Sequence, residues 1–192
     1  MIHDLLRNVK FFLFLLAIDR DLLEEARQAR CPICGAALHR SDYPRSPRGG
    51  PDVPGVGWNR RYSLCCCREG CRKRMTPPSV RFLGRKVYLG AVVVLVSAMM
   101  HGATPSRVKE LREVLEVSPR TLERWRAWWR EAFAKSPFWK ASRGRFEKPV
   151  DETLLPRSLL DRFRGILRTR IVSVLKFLLP ITTATASGSA AC

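Results

Sequence analysis

Cys31-Pro32-Ile33-Cys34-Gly35, followed further along by Cys65-Cys66-Cys67-Arg68-Glu69-Gly70-Cys71, are the stretches whose reading decides the fold. The first has the form of a metal knuckle, two thiolates two residues apart with a glycine that lets the backbone turn beneath an ion. One such pair is a weak signal. A second cysteine group beyond an intervening loop completes the four soft ligands of a tetrahedral site, which predicts structural Zn2+. Residues 60–66 alternate as a strand does, with Tyr62, Leu64 and Cys66 on one face, and this parity favours Cys66 as third ligand and Cys71 as fourth. Cys65 and Cys67 stay open as alternatives for the third position. His39, five residues past Cys34, is a rival ligand but reads as an exposed loop residue. Four thiolates leave no coordination position for water, so the ion is expected to be structural and no catalytic residue is assigned.

The 192 residues carry 35 Lys and Arg against 17 Asp and Glu, a formal charge of +18. An excess of this size calls for a polyanionic partner, double-stranded DNA first and an anionic membrane surface second. Apolar runs at residues 9–18 and 87–100 fall short of the roughly 20 residues that span a bilayer and are expected to be buried helices. Seven cysteines without a secretory start pattern fit a reducing compartment, so the expectation is a cytoplasmic, nucleoid-associated protein with no membrane partner.

Five segments follow from the pattern. Residues 1–30 are helical in two pieces, with Asp19 capping the second and Pro32 stopping it. Residues 31–80 are the ribbon, with a Pro/Gly-rich loop between its halves. Residues 81–135 hold three helices: an apolar one over residues 84–100, one opened by Thr104-Pro105 and running to about Leu115, and one opened by Ser118-Pro119 and running to about Ala134. On the third, Leu122, Trp125, Trp129 and Phe133 share the inner side, while Arg120 and Arg124 lie opposite, flanked by Thr121. A helix-turn-helix would use Arg120, Thr121 and Arg124 for base contacts and Arg126 and Arg130 for phosphates. Residues 136–181 are a basic arm, with Lys140, Arg143 and Arg145 as further phosphate contacts and Phe138, Trp139 and Phe146 interleaved, followed by C-terminal helices. Arg72, Lys73 and Arg74 form a basic rim on the ribbon, and residues 182–192 read as a disordered tail.

The run Cys31 to Gly35, the group Cys65 to Cys71 with the Arg72-Lys73-Arg74-Met75-Thr76-Pro77-Pro78 that follows, and Ser118-Pro119-Arg120-Thr121-Leu122-Glu123-Arg124-Trp125 resemble the zinc-ribbon plus homeodomain-like helix-turn-helix region of bacterial insertion-sequence transposases and their accessory proteins. The resemblance covers roughly residues 31–134. It implies a mainly α fold with a small β zinc ribbon, a trihelical helix-turn-helix core and C-terminal helices. It also implies a role in a mobile element, with a transposase or a second copy of the chain as further partner.

Glu147, Asp151, Glu152 and Asp161 sit in one short stretch, whereas a strand-transfer site needs carboxylates converging from distant elements to hold two divalent ions. The expected function is therefore a zinc-stabilised DNA-binding protein without a catalytic site of its own. The rival readings are an interaction module that docks a larger transposase or polymerase, and a divergent nuclease or recombinase.

Overall fold

A computed structural model describes residues 2–53, 57–84, 88–100, 109 and 117–183. About half of the chain is helical, and the strands are short. The chain divides into two compact units, one formed by Met1–Arg7 with Gly90–Phe177 and the other by Asn8–Leu89 with the described residues after Phe177.

In the second unit, α1 (Ile2–Leu6) has already ended and α2 (Val9–Gln28) begins at Asn8, whose side chain accepts the Phe11 N–H at 3.0 Å. The break in the first thirty residues therefore falls at Arg7 and Asn8, not at Asp19. Asp19 is a buried mid-helix residue, because its carboxylate has partners elsewhere: Ser79 Oγ at 2.6 Å, the Val80 N–H at 2.7 Å and Arg81 Nε at 2.7 Å. Nor does Pro32 end the helix. α2 stops at Gln28, and Arg30 turns the chain with a left-handed φ of 61°.

The strands β1 (Leu38–Arg40), β4 (Leu64–Cys66) and β5 (Arg74–Met75) form an antiparallel sheet in the order β1-β4-β5, with Leu38 opposite Cys66 and Leu64 opposite Met75. β2 (Tyr43–Pro44) pairs with β3 (Arg60–Arg61), so the Pro/Gly-rich loop is bounded by a two-strand ladder. Leu16 and Leu23 of α2 pack with Leu38, Tyr62, Leu64, Cys31 and Cys66 into one buried cluster. The helix thus supplies the apolar floor on which the cysteines stand.

In the other unit, α3 (Gly90–Met99) is shorter than the apolar run suggested, because Phe82 and Leu89 pair as an isolated antiparallel bridge before it starts. Residues Gly90 to Ala98 are all buried, which fits a helix apolar on every side. The helix expected over residues 104–115 lies outside the described residues, apart from Lys109, as do the tail residues 184–192. α4 (Pro119–Ala127) starts at the expected cap: Ser118 Oγ accepts the Thr121 N–H, with proline in the first turn.

From Trp128 to Phe133 the helix widens into a π-helix, which the sequence pattern did not signal. The wider turn sets the rings of neighbouring Trp128 and Trp129 4.7 Å apart, and both stack on Phe133. A face assignment at about 100° per residue stops applying beyond Ala127 for this reason.

The basic arm is not extended. α5 (Pro137–Ser142) and a 3-10 turn (Arg143–Arg145) carry Phe138, Trp139 and Phe146 into an aromatic cluster with Phe163 and Phe177. These rings therefore pack on one another, with Trp139 fully buried and Phe138 and Phe146 half-buried. A second 3-10 turn (Glu152–Leu154) and α6 (Arg157–Leu160) lead to α7 (Leu167–Phe177), which lies against α3 and buries Ile171, Val174 and Leu175. α8 (Leu179–Thr182) belongs to the other unit, where the Thr182 hydroxyl accepts the Ser79 N–H at 3.0 Å. Thr182, the first residue of the expected tail, is thus part of a helix and buried.

Candidate metal centre and charged surfaces

The sulfurs of Cys31, Cys34, Cys66 and Cys71 all lie within 4.8 Å of one another. Cys31 Sγ is 3.8 Å from Cys71 Sγ, and Cys34 Sγ is 3.4 Å from Cys66 Sγ. A tetrahedron with metal–sulfur bonds of about 2.3 Å has edges of about 3.8 Å, so the four thiols fit a single ion. The donor set is soft and closed.

Local backbone geometry builds each half. In the first knuckle the Gly35 N–H returns to the Cys31 carbonyl at 2.8 Å, and Gly35 takes the left-handed φ of 70° that the turn requires. Cys31 N–H is fixed in turn by the Ala36 carbonyl at 3.0 Å. In the second half Cys66 closes strand β4 with its N–H on the Lys73 carbonyl, and the turn after it brings the Cys71 N–H to the Arg68 carbonyl at 3.2 Å.

The three consecutive cysteines part company here. Cys66 is fully buried and joins the cluster. Cys65 sits opposite His39 in the sheet, its Sγ 3.7 Å from the Arg72 carbonyl, and Cys67 is exposed beyond the strand end. Neither sulfur is in the cluster, nor is His39, which is exposed on β1.

Backbone amides favour the thiolate at Cys31: the N–H of Ile33 above all, opposed by burial and helped by Cys34 and Cys71, lowers its pKa to about 7. At Cys66 the Arg68 N–H acts the same way but is overridden by burial and by the thiols of Cys34, Cys71 and Cys31, and the group is pushed up to about 12. Cys71 is raised as well, the Lys73 amide being outweighed by burial and by Cys34 and Cys31. One thiol of the cluster ionises readily while two resist. A divalent cation removes that conflict by taking the place of the protons.

Basic residues fall in two blocks of nearly equal charge. Residues 8–89 hold sixteen Lys and Arg against seven Asp and Glu, residues 117–177 fifteen against six, and residues 90–116 are neutral. Not all of these cations reach solvent. Arg61 and Arg81 are buried, Arg61 donating to the Pro77 carbonyl at 2.6 Å with its pKa lowered by burial. Arg81 is enclosed by the rings of Trp58, Tyr62 and Phe82 at 5.0 to 5.6 Å.

At the edge of the three-strand sheet Arg72 and Lys73 are exposed, while Arg74 is half-buried and donates to Ser41 Oγ at 2.8 Å. On α4 Arg120 and Arg124 are exposed, but Thr121 is not available to a base edge. It is 6% exposed, and its hydroxyl is engaged by Ser118 at 3.0 Å and by Arg124 at 3.1 Å. Arg126 and Arg130 are exposed, as are Lys140 and Arg145. Arg143 is paired with Glu152 at 2.8 Å, and the same carboxylate oxygen accepts the Trp139 indole N–H at 2.8 Å. Those two donors, Trp139 first, hold the Glu152 carboxyl below its ordinary pKa.

No protein-family model, curated protein or solved structure matches the chain. No helix among the described residues is long and apolar enough to cross a membrane.

Proposed function

We propose that the chain is a DNA-binding protein whose ribbon-like sheet is held by a structural Zn2+ on Cys31, Cys34, Cys66 and Cys71. The observation that carries the metal assignment is the set of four sulfurs within 4.8 Å of one another, with two of the separations, 3.8 and 3.4 Å, near the tetrahedral edge. Thiolate donors and a four-coordinate site are the chemistry of zinc, and the lack of an open position makes the ion a staple.

DNA is the partner that fits the exposed cations. Arg120 and Arg124 stand on the first turns of a helix whose opposite side, Leu122 and Trp125, is buried, so they are the candidates for base edges. Lys140, Arg145, Arg72 and Lys73 are exposed for phosphates. In this reading α4 is the recognition helix of a helix-turn-helix, the chain acts as an accessory or regulatory component of a mobile element resembling transposase proteins, and it works without a catalytic site.

The test is metal content and duplex binding on one preparation. One equivalent of zinc per chain is expected, together with a binding constant that falls steeply as salt rises. Zinc-replete protein whose affinity for duplex DNA is independent of salt would refute the nucleic-acid part and leave the metal part standing.

A further inference from the structure

Arg126 and Arg130 lie one turn apart on the helix that passes from α4 into the π segment, and neither makes a hydrogen bond or ion pair among the described residues. Like charges at this spacing repel on a helix surface. Both line a cavity of about 310 Å³, the lower end of the size that takes a small ligand. Ser97 of α3 lines the same cavity from the opposite helix. It is 2% exposed, and its Oγ is buried with no hydrogen-bond partner among the described residues. A buried hydroxyl left unsatisfied costs stability and calls for an explanation.

The remaining polar wall is Glu152 and Thr153. Neither cancels the guanidiniums. The Thr153 hydroxyl donates to Asp151 at 2.6 Å, and the Glu152 charge is balanced by Arg143. What the cavity offers is two exposed guanidiniums without a partner among the described residues and one buried hydroxyl donor lining the same space. Guanidinium pairs with a neutral hydroxyl donor are the recognition chemistry of a phosphate group.

We infer that this cavity is a binding site for a phosphomonoester, held by Arg126 and Arg130 with Ser97 Oγ as third donor. The group has two sources, a free nucleotide or the phosphorylated end of a nucleic-acid strand. Only the second rests on the DNA-binding reading. A protein that ignores duplex DNA but takes up a mononucleotide would keep this inference and lose that one.

The experiment is isothermal titration of the zinc-replete full chain with inorganic phosphate and with deoxyadenosine 5′-monophosphate. Saturable binding of one equivalent is expected. Arg126→Gln and Arg130→Gln should each weaken it about tenfold or more, since each removes a charge-assisted bond. Ser97→Ala should weaken it about threefold or more without lowering the melting temperature, because the hydroxyl has no partner among the described residues to lose. Lys176→Gln, exposed on α7, controls for net charge and should change affinity less than about twofold.

Competition with 5′-phosphorylated and unphosphorylated hairpin DNA separates the sources. Displacement by the phosphorylated end alone assigns the site to strand ends, and displacement only by free nucleotide assigns it to a small molecule. Absence of saturable binding by either probe overturns the inference. So does Ser97→Ala binding as tightly as the parent, which would place the anion on surface arginines alone.

Discussion

Asp19 and Arg81 form an ion pair at 2.7 Å with both side chains excluded from solvent, 1% and 0% exposed. The pair joins the middle of α2 to the segment after the sheet, and each member is satisfied beyond the other. Asp19 also takes Ser79 Oγ and the Val80 N–H, and Arg81 donates to the carbonyls of Gly57, Trp58 and Arg60. Removing one partner strands the other charge in the interior. Asp19→Ala or Arg81→Met alone is expected to cost about 3–5 kcal/mol in urea unfolding, whereas Asp19→Leu combined with Arg81→Met should recover a large part of that loss. Single variants within about 1 kcal/mol of the parent would show that the pair contributes little.

Cobalt substitution reports the ligand set directly. Cys31→Ser, Cys34→Ser, Cys66→Ser and Cys71→Ser should each lose thiolate-to-metal charge-transfer intensity and bind the ion far more weakly. Cys67→Ser should retain the full spectrum, because its sulfur is outside the cluster, and so should Cys65→Ser. A Cys67→Ser protein that loses the ion would move the third ligand along the chain.

Metal affinity should fall as pH falls, with a slope that changes near neutrality. At pH 8 Cys66 and Cys71 carry protons that the metal must displace, whereas Cys31, lowered to about 7, is already largely ionised. Below about pH 7 Cys31 is protonated too, so binding releases one more proton and the plot of log Kd against pH steepens by about one unit. The sign is fixed: protons compete with the ion, and acid weakens the site. A competition titration with a chromophoric chelator between pH 6 and 8.5 measures it, and a constant slope through pH 7 would contradict the assignment of Cys31 as the acidic member.

Thr121 and Arg120 should separate when duplex selectivity and stability are measured together. Arg120→Ala is expected to cost about 1–3 kcal/mol of discrimination at one base position and little stability. Thr121→Val should leave the order of preferred sites unchanged but lower stability by about 1 kcal/mol, since its hydroxyl completes the Ser118 cap and holds Arg124. Selectivity that follows Thr121 and ignores Arg120 would invert the reading of α4.

Lys140→Ala and Arg145→Ala address the phosphate surface. Each side chain is exposed on the segment after the π-helix, and each substitution should lower the slope of log K against log salt by about 0.9 while weakening all duplexes alike. An unchanged slope for both would take the 3-10 turn and α5 out of the DNA-facing surface.

Some of this was legible before folding. Cys31, Cys34 and Cys71 announce themselves because thiolate chemistry and knuckle spacing are local, and Ser118-Pro119 marks a helix start because capping needs only adjacent residues. The inner face of α4 follows from period, since Leu122 and Trp125 are buried; Trp129 and Phe133 are buried as well, but on the π-helix, where that period no longer applies. Other features had no local signal. Asp19 has the sequence signature of a cap and the tertiary role of a buried acceptor, and nothing within twenty residues of it reveals that its partners are Ser79 and Arg81. The arm aromatics Phe138, Trp139 and Phe146 look the same in sequence whether they sit on an open basic arm or pack on one another.

The sequence by itself determined that two cysteine groups with the spacing of soft metal ligands are present and that the charge excess is large, because residue identity and short spacing are sufficient for both. Only the tertiary structure decided which of the three consecutive cysteines enters the cluster, since that depends on where strand β4 ends against β1 and β5. It also decided which arginines are available to a partner: Arg61 and Arg81 are enclosed, Arg143 is paired, and Arg126 and Arg130 meet Ser97 across a cavity. The reason is physical: a charge count is additive along the chain, whereas solvation and pairing are set by what packs against each cation.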